Sequence, residues 1–293
     1  MDLSMGTTVT RAQVRKRYQL LCHQARRNPV SAFLRQLGST NQEPSCIDLS
    51  RALLTPTTLV PILTALEDTP WLRQVNLSHN KLSGCGSVVA RFLTNSLSLS
   101  LSLDTCGISD HDVITIAHTL GKNLCALESL SLDNNGLSSA VCASLGKAVT
   151  SPDSRLRVLS LNGNRLGDTG AEVLLNHVAR APTLQALSLD RNGMGFRTSK
   201  AAMAVAMSTE CGLGSLSLAY NSSITERQQR DIAAALQRRR GDRERQQWER
   251  ELLVVERRMG LAGVGEQEGG GMFGPSMSVE FQPPLETKRE RER

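Results

Sequence analysis

A chain of 293 residues with a formal charge of +6 and only 3% aromatic side chains can form one elongated domain or two compact ones. Its leucine-rich, ring-poor apolar content suits a thin, repetitive structure better than one thick globule. No run approaches the ~18 apolar residues of a membrane span, and the start MDLSMGTTVTRAQVRK has no signal-peptide h-region, so a cytoplasmic chain without a membrane span is expected. Seven cysteines at irregular spacing, with no C-x-x-C, read as reduced thiols within apolar patterns, not as a disulfide framework.

Residues 1–9 carry no core pattern and are expected to be disordered. Residues 10–43 form a two-helix N-terminal cap. Thr10 and Gln13 have capping-box spacing, so a helix starts at Arg11. Val14, Tyr18, Leu21, Cys22 and Ala25 give it one apolar stripe. Asn28 and Pro29 suit the N-cap and first position of a second helix. Val30, Phe33, Leu34 and Leu37 form its buried side, and Gly38 closes it. The polar face is one-signed. Arg11, Arg15, Lys16 and Arg17 lie in a stretch without an acid, which is either a solvated face or a docking patch for an acidic surface. Nucleic acid ranks low as that surface, because the only aromatic beside the patch, Tyr18, sits on the buried stripe.

Residues 44–240 repeat. The clearest unit begins LRVLSLNGNRL at 156, a period-2 segment, and continues with Ala171, Leu174, Leu175 and Val178 at helical spacing. One strand, one turn and one helix follow from that change of period. Seven units fit, with a period of about 28 residues. Their fourth and sixth positions are Ile47 and Leu49, Val75 and Leu77, Leu101 and Leu103, Leu130 and Leu132, Leu159 and Leu161, Leu187 and Leu189, and Leu216 and Leu218. The ninth positions are Ala52, Asn80, Cys106, Asn135, Asn164, Asn192 and Asn221. An asparagine amide there can bond backbone groups left unpaired where the strand turns away. Cys106 offers a weak S–H donor in that slot and Ala52 offers nothing. The run LSLSLSL at 97–103 leaves register ambiguous, and Cys106 with Ile108 fixes it with Leu101 and Leu103 inward. Helices are expected at 57–66, 86–93, 110–120, 139–149, 169–179, 198–207 and 225–240.

These repeats resemble the ribonuclease-inhibitor-like class of leucine-rich repeats. The resemblance implies an α/β leucine-rich-repeat solenoid, a horseshoe with a concave parallel sheet and convex helices. The side chains lining the concave face are then the fifth, seventh and eighth positions. They nominate Arg51, His79, Asp104, Asp133, Asn134, Asn162, Asp190, Arg191 and Tyr220 as partner-binding residues. Only Arg51, His79, Arg191 and Tyr220 are of the anchor type that tight interfaces use, so modest affinity is expected.

Beyond the repeats, Gly241-Asp242 suggests a break, followed by a charged amphipathic helix over 241–260. Trp248, Leu252, Val255 and Met259 make its apolar seam. That seam either folds back on the last repeat, serves as a secondary partner-binding site (a short coiled coil or partner helix, with weak self-association through residues 242–259), or belongs to a lone charged helix. Residues 261–293 turn to Gly, Glu and Pro and are expected to be disordered.

No H-E-x-x-H, P-loop, G-x-S-x-G or G-x-G-x-x-G occurs, so neither an enzyme nor a bound cofactor or metal is expected. The entry module Tyr18-x-x-Leu21-Cys22, Pro29, Leu34-x-x-Leu37, Ile47-x-Leu49 is similar to that of leucine-rich-repeat proteins of the centrosome and cilium. The leading reading is a non-enzymatic protein-interaction scaffold, cytoplasmic and associated with the centrosome or cilium. The alternatives are a regulator of a small GTPase, like the Ran-activating leucine-rich-repeat proteins, and an inhibitor or innate-immune module.

Overall fold

A computed structural model describes residues 9–38, 45–122 and 125–258. In chain order the elements are α1 (Arg11–Gln24), α2 (Ser31–Gly38), β1 (Cys46–Asp48), α3 (Pro56–Leu66), β2 (Gln74–Asn76), α4 (Gly86–Thr94), β3 (Ser100–Ser102), α5 (Asp110–Leu120) and β4 (Ser129–Ser131). A 3-10 turn at Ser139–Val141 leads into α6 (Cys142–Thr150). Then follow β5 (Val158–Ser160), α7 (Gly167–Val178), β6 (Ala186–Ser188), α8 (Phe196–Met207), β7 (Ser215–Ser217) and α9 (Glu226–Arg258). The chain divides into two units, Met1–Gln237 and Arg238–Arg293. The sheet and α1–α8 belong to the first.

The seven strands form one parallel sheet in sequence order, β1 to β7. Its register aligns Ile47, Val75, Leu101, Leu130, Leu159, Leu187 and Leu216 side by side. The fourth and sixth positions are therefore shared columns. All of these side chains from β1 to β6 are at most 1% exposed. The ambiguous LSLSLSL run pairs with Leu101 and Leu103 inward, as Cys106 and Ile108 require. Each repeat buries its strand leucines against its own helix and those of its neighbours, which is why the period-2 and period-3.6 stripes must coexist.

The asparagine column stitches the repeats together. Asn164 Nδ2 donates to the carbonyls of Leu132 and Leu161 at 3.1 and 2.8 Å. Its Oδ1 accepts from the N–H groups of Asn135 and Leu137 at 3.1 and 3.0 Å. Asn80, Asn135 and Asn221 repeat the pattern. Cys106 keeps only the donor half, its thiol reaching the Leu77 carbonyl at 3.1 Å. The Leu82 N–H consequently turns to the Cys106 backbone carbonyl at 2.9 Å. Asn192 departs in another way. Its Oδ1 has no partner among the described residues, and the Gly167 N–H bonds to the Asn192 backbone carbonyl instead.

The first edge of the sheet is covered. The capping box of Thr10 and Gln13 starts α1, Tyr18 and Phe33 meet edge to face at 4.8 Å, and the Tyr18 hydroxyl accepts from the Val30 N–H at 2.7 Å. The Gln36 amide pairs with both backbone groups of Asp48, standing in for a neighbouring strand. Three details differ from the sequence-based expectation. Ala25 is exposed, because α1 ends at Gln24 and Arg26 takes a left-handed φ of 50°. α2 starts at Ser31, so Asn28 and Pro29 lie in the connection before it. α9 runs through Gly241-Asp242, since one glycine costs a helix only about 1 kcal/mol among Arg, Glu and Gln neighbours.

Candidate functional site

The face of the sheet opposite the helices is built from three columns, and they behave differently. The fifth and seventh columns bond to each other. Asp104 Oδ1 accepts from the Ser131 hydroxyl at 2.5 Å and the Asp133 N–H at 2.9 Å. Asp133 Oδ1 accepts from the Ser160 hydroxyl and the Asn162 N–H, both at 2.7 Å. Asn162 Oδ1 accepts from the Asp190 N–H at 2.8 Å. Asp190 Oδ1 accepts from the Ser217 hydroxyl and the Ala219 N–H at 2.6 and 2.7 Å. This is a second ladder, running parallel to the asparagine column on the opposite side of the turn. Each seventh-position side chain satisfies the next strand, so Asp104, Asp133, Asn162 and Asp190 are half-buried with Oδ1 engaged, and the second oxygens of Asp104 and Asp133 accept from the Ser102 hydroxyl and the Asn162 amide at 2.8 and 3.1 Å.

The eighth column is free to project. Its N–H still donates to the seventh-position carbonyl of the following repeat, as from Arg51 to Ser78, His79 to Asp104 and Arg191 to Ala219, at 2.8–3.0 Å. To hold that bond while the chain turns, all seven residues adopt left-handed backbone: Arg51, His79, Thr105, Asn134, Arg191 and Tyr220 at φ of 53–60°, and Gly163 at 65°. Only glycine does this without cost; a side chain pays roughly 1–2 kcal/mol. The six non-glycine members are exposed. Tyr220 is 75% exposed, and the Arg191 guanidinium lies 4.7 Å from its ring centroid, a cation–π contact of about 0.5–1 kcal/mol at such a site. Asn134 lies so close over Gly163 that a Cβ there would sit 2.0 Å from Asn134 Oδ1.

The nominated residues of the N-terminal patch divide as well. Arg15 and Lys16 are exposed. Arg17 donates to the carbonyls of Glu67 and Ala65 at 3.0 and 3.5 Å, tying α1 to the C-terminal end of α3, where a cation is favoured. Arg11 is half-buried. Trp248, Leu252 and Val255 fall on α9, and Met259 lies outside the described residues.

Two features went unseen in the sequence. One is an apolar cleft of about 460 Å³ between α8 and α9, lined by Phe196, Met203, Met207 and Ile232 among others. The other is a set of aspartates at helix starts that clamp neighbouring repeats. Asp112 accepts from the Gly84 and Gly86 N–H groups at 3.0 and 2.8 Å and from Ser109. Asp168 accepts from Gly195 and Thr198. Burial alone would raise the Asp112 pKa, but the bonds from Ser109, Gly84 and Gly86 outweigh it and hold the carboxyl below its usual range. At Asp168 a desolvation contribution is likewise overcome, by Thr198 and Gly195.

All seven cysteines are free thiols, and six are buried. Burial pushes Cys85 and Cys106 up to about 11 and Cys142 up to about 12, so they pack as small apolar groups. Among the described residues no group of three or more His, Cys, Asp or Glu is placed to hold a metal, and no helix is long and apolar enough to cross a membrane.

A family model described as Leucine Rich repeat matches residues 155–175. NACHT, LRR and PYD domains-containing protein 5 of Bos taurus is 37% identical over 119 residues, covering 40% of this chain and 11% of that protein. Ribonuclease inhibitor of Sus scrofa is 27% identical over 197 residues, covering 64% and 43%. The chain thus spans less than half the length of either relative. Among solved structures, a tropomodulin C-terminal domain from Caenorhabditis elegans aligns with a TM-score of 0.42 at 18% identity, covering 58% of this chain and 98% of that one.

Proposed function

We propose that the chain, similar over part of its length to a Leucine Rich repeat family model and to a ribonuclease inhibitor, is a non-enzymatic scaffold of the ribonuclease-inhibitor-like leucine-rich-repeat class whose protein partner seats on the eighth column of the repeats. The observation that carries this reading is the division of labour on the open face. Serines and acids of the fifth and seventh columns bond to one another, while Arg51, His79, Asn134, Arg191 and Tyr220 are held outward by a fixed backbone. Side chains presented from a preorganised backbone lose less entropy on binding.

The anchor is the Arg191–Tyr220 pair, because tyrosine and arginine dominate protein-interface energetics and this pair is already stacked. A matching partner offers carboxylates to Arg191 and Arg51 and an apolar or planar group to Tyr220. Arg15 and Lys16 form a secondary contact for an acidic surface, and residues 242–259 a secondary self-association site. A centrosomal or ciliary setting within the cytoplasm is supported by the resemblance of the entry module at 18–49.

Proximity labelling in cells tests the reading. The full chain carrying Arg191→Ala and Tyr220→Ala is expected to lose labelling of its main neighbours at least tenfold, about 1.4 kcal/mol. Arg15→Glu with Lys16→Glu should affect a smaller, separate set. An unchanged neighbour list for the Arg191/Tyr220 variant refutes the assignment of this face.

A further inference from the structure

The tenth position of the repeat, one past the asparagine slot, takes left-handed backbone in four units: Leu53 at φ 55°, Gly107 at 65°, Gly136 at 72° and Gly193 at 68°. Glycine enters that region freely, whereas a leucine is strained in it. The fold has no use for a side chain there. A Cβ added to Gly107, Gly136 or Gly193 would meet no atom within 4 Å, and Leu53 is 89% exposed. Nor is the turn loose. Before Leu53, the Arg51 N–H donates to the Ser78 carbonyl at 3.0 Å. After it, the Leu54 N–H donates to Asn80 Oδ1 at 2.8 Å, and the Leu54 carbonyl accepts from the Lys81 N–H at 3.1 Å. A strained backbone is thus pinned on both sides to hold an apolar side chain in water. Strain over-determined by its surroundings is a property of binding sites.

The surroundings of Leu53 are one-signed. Arg51 precedes it by two residues, and the Leu54 carbonyl bond brings Lys81 beside it. Arg51, Lys81 and the neighbouring His79 are exposed, and neither Arg51 nor Lys81 makes an ion pair among the described residues. The carboxylates on the turn side of the first three repeats are occupied by the array itself. Asp48 accepts from the Ser50 N–H, Asp104 from Ser131 and Asp133, Asp110 from Ser138, and Asp112 from Gly84 and Gly86. An apolar knob beside two unpaired cations fits a surface of the reverse kind, apolar where Leu53 lands and acidic next to it.

We propose that the turns of the first two repeats dock an acidic amphipathic helix of a protein partner, with Leu53 against its apolar stripe and Arg51 and Lys81 on carboxylates along its flank. Such a helix supplies both features at fixed spacing, since polar positions border its apolar stripe. Leu53 and Arg51 stand on pinned backbone, so their presentation costs little ordering on binding. The inference rests on the eighth-column reading for Arg51 and adds to it an apolar anchor after β1, at the opposite end of the sheet from the Arg191–Tyr220 pair beside β7.

Fluorescence anisotropy with the full chain and a labelled synthetic peptide, EELLEELFEELLEE, tests it. Leu53→Asn, a polar residue that tolerates left-handed backbone, should weaken binding at least tenfold without lowering the urea midpoint of the protein. Arg51→Glu with Lys81→Glu should weaken it as much, and Arg191→Ala with Tyr220→Ala should leave it unchanged. No binding of the peptide, or equal affinity in Leu53→Asn, overturns the inference. Equal binding of a peptide with its Leu and Phe replaced by Ser also overturns it, by assigning these turns to charge alone. A lower urea midpoint in Leu53→Asn would show that Leu53 serves the fold, with the same consequence. An equal loss in the Arg191/Tyr220 variant would place the peptide at the other end of the sheet, overturning this inference while upholding the eighth-column reading.

Discussion

Replacing Asn164 by alanine tests the asparagine ladder at a position where both halves of the amide are bonded. The side chain is 4% exposed and makes two donor bonds to Leu132 and Leu161 and accepts from Asn135 and Leu137. Truncation leaves two N–H groups without an acceptor. A buried unsatisfied group costs about 1–3 kcal/mol. Leu137 is 1% exposed and should incur most of that, whereas Asn135 is half-buried and can recruit water. The sum is a loss of about 2–4 kcal/mol, a large share of the roughly 5–15 kcal/mol typical of a domain. Urea unfolding followed by circular dichroism measures it. Hydrogen exchange locates it, because stability in a repeat array is nearly a sum of neighbour contacts and the loss should centre on residues 130–166. A loss under about 1 kcal/mol, or one spread evenly along the array, would show that the amide bonds do not hold the repeats in register.

Cys106 fills the same slot with half the bonding capacity, so Cys106→Asn should raise stability by about 1 kcal/mol, seen as a higher urea midpoint; a lower midpoint would mean the pocket is too tight for the amide. The clamps predict an acid limit. The folded pKa values of Asp112 and Asp168 lie below the ordinary carboxylate value, about 3.9 in unfolded chains. Their stabilisation is therefore complete above that value and lost as pH falls through the lower folded values. Thermal melts should be insensitive to these two groups at neutral pH and decline below about pH 4, with Asp112→Asn showing a smaller decline than the wild-type chain.

What could be read from the sequence was whatever the repeat makes periodic. The leucine columns, the helix positions and the asparagine slot recur at one spacing, and the strands align as that spacing demands. Even the LSLSLSL ambiguity was resolved by the flanking Cys106 and Ile108. The inner-face acids were legible as residents of that face but not as members of a ladder. A carboxylate offered to a partner and one accepting from the next strand look alike in a single unit. The signal lay one repeat further on: Ser131 follows Asp104, Ser160 follows Asp133 and Ser217 follows Asp190 in the fifth column. The left-handed eighth column was hinted at by Asn134 and Gly163, yet Arg, His, Thr and Tyr at the same place concealed it. Arg17 was one cation among several by composition; only the end of α3 distinguishes it. Non-local contacts of that sort have no local pattern to announce them.

The left-handed bend that presents Arg51, His79, Thr105, Asn134, Arg191 and Tyr220 separates recognition from folding. Apart from the Arg191–Tyr220 stack, these side chains do not tie one strand to the next, and glycine would relax the backbone there. Six positions along one rim can thus be exchanged for new chemistry while the array keeps its melting behaviour. Such a chain could change what it holds through a few codons, without first having to relearn how to fold.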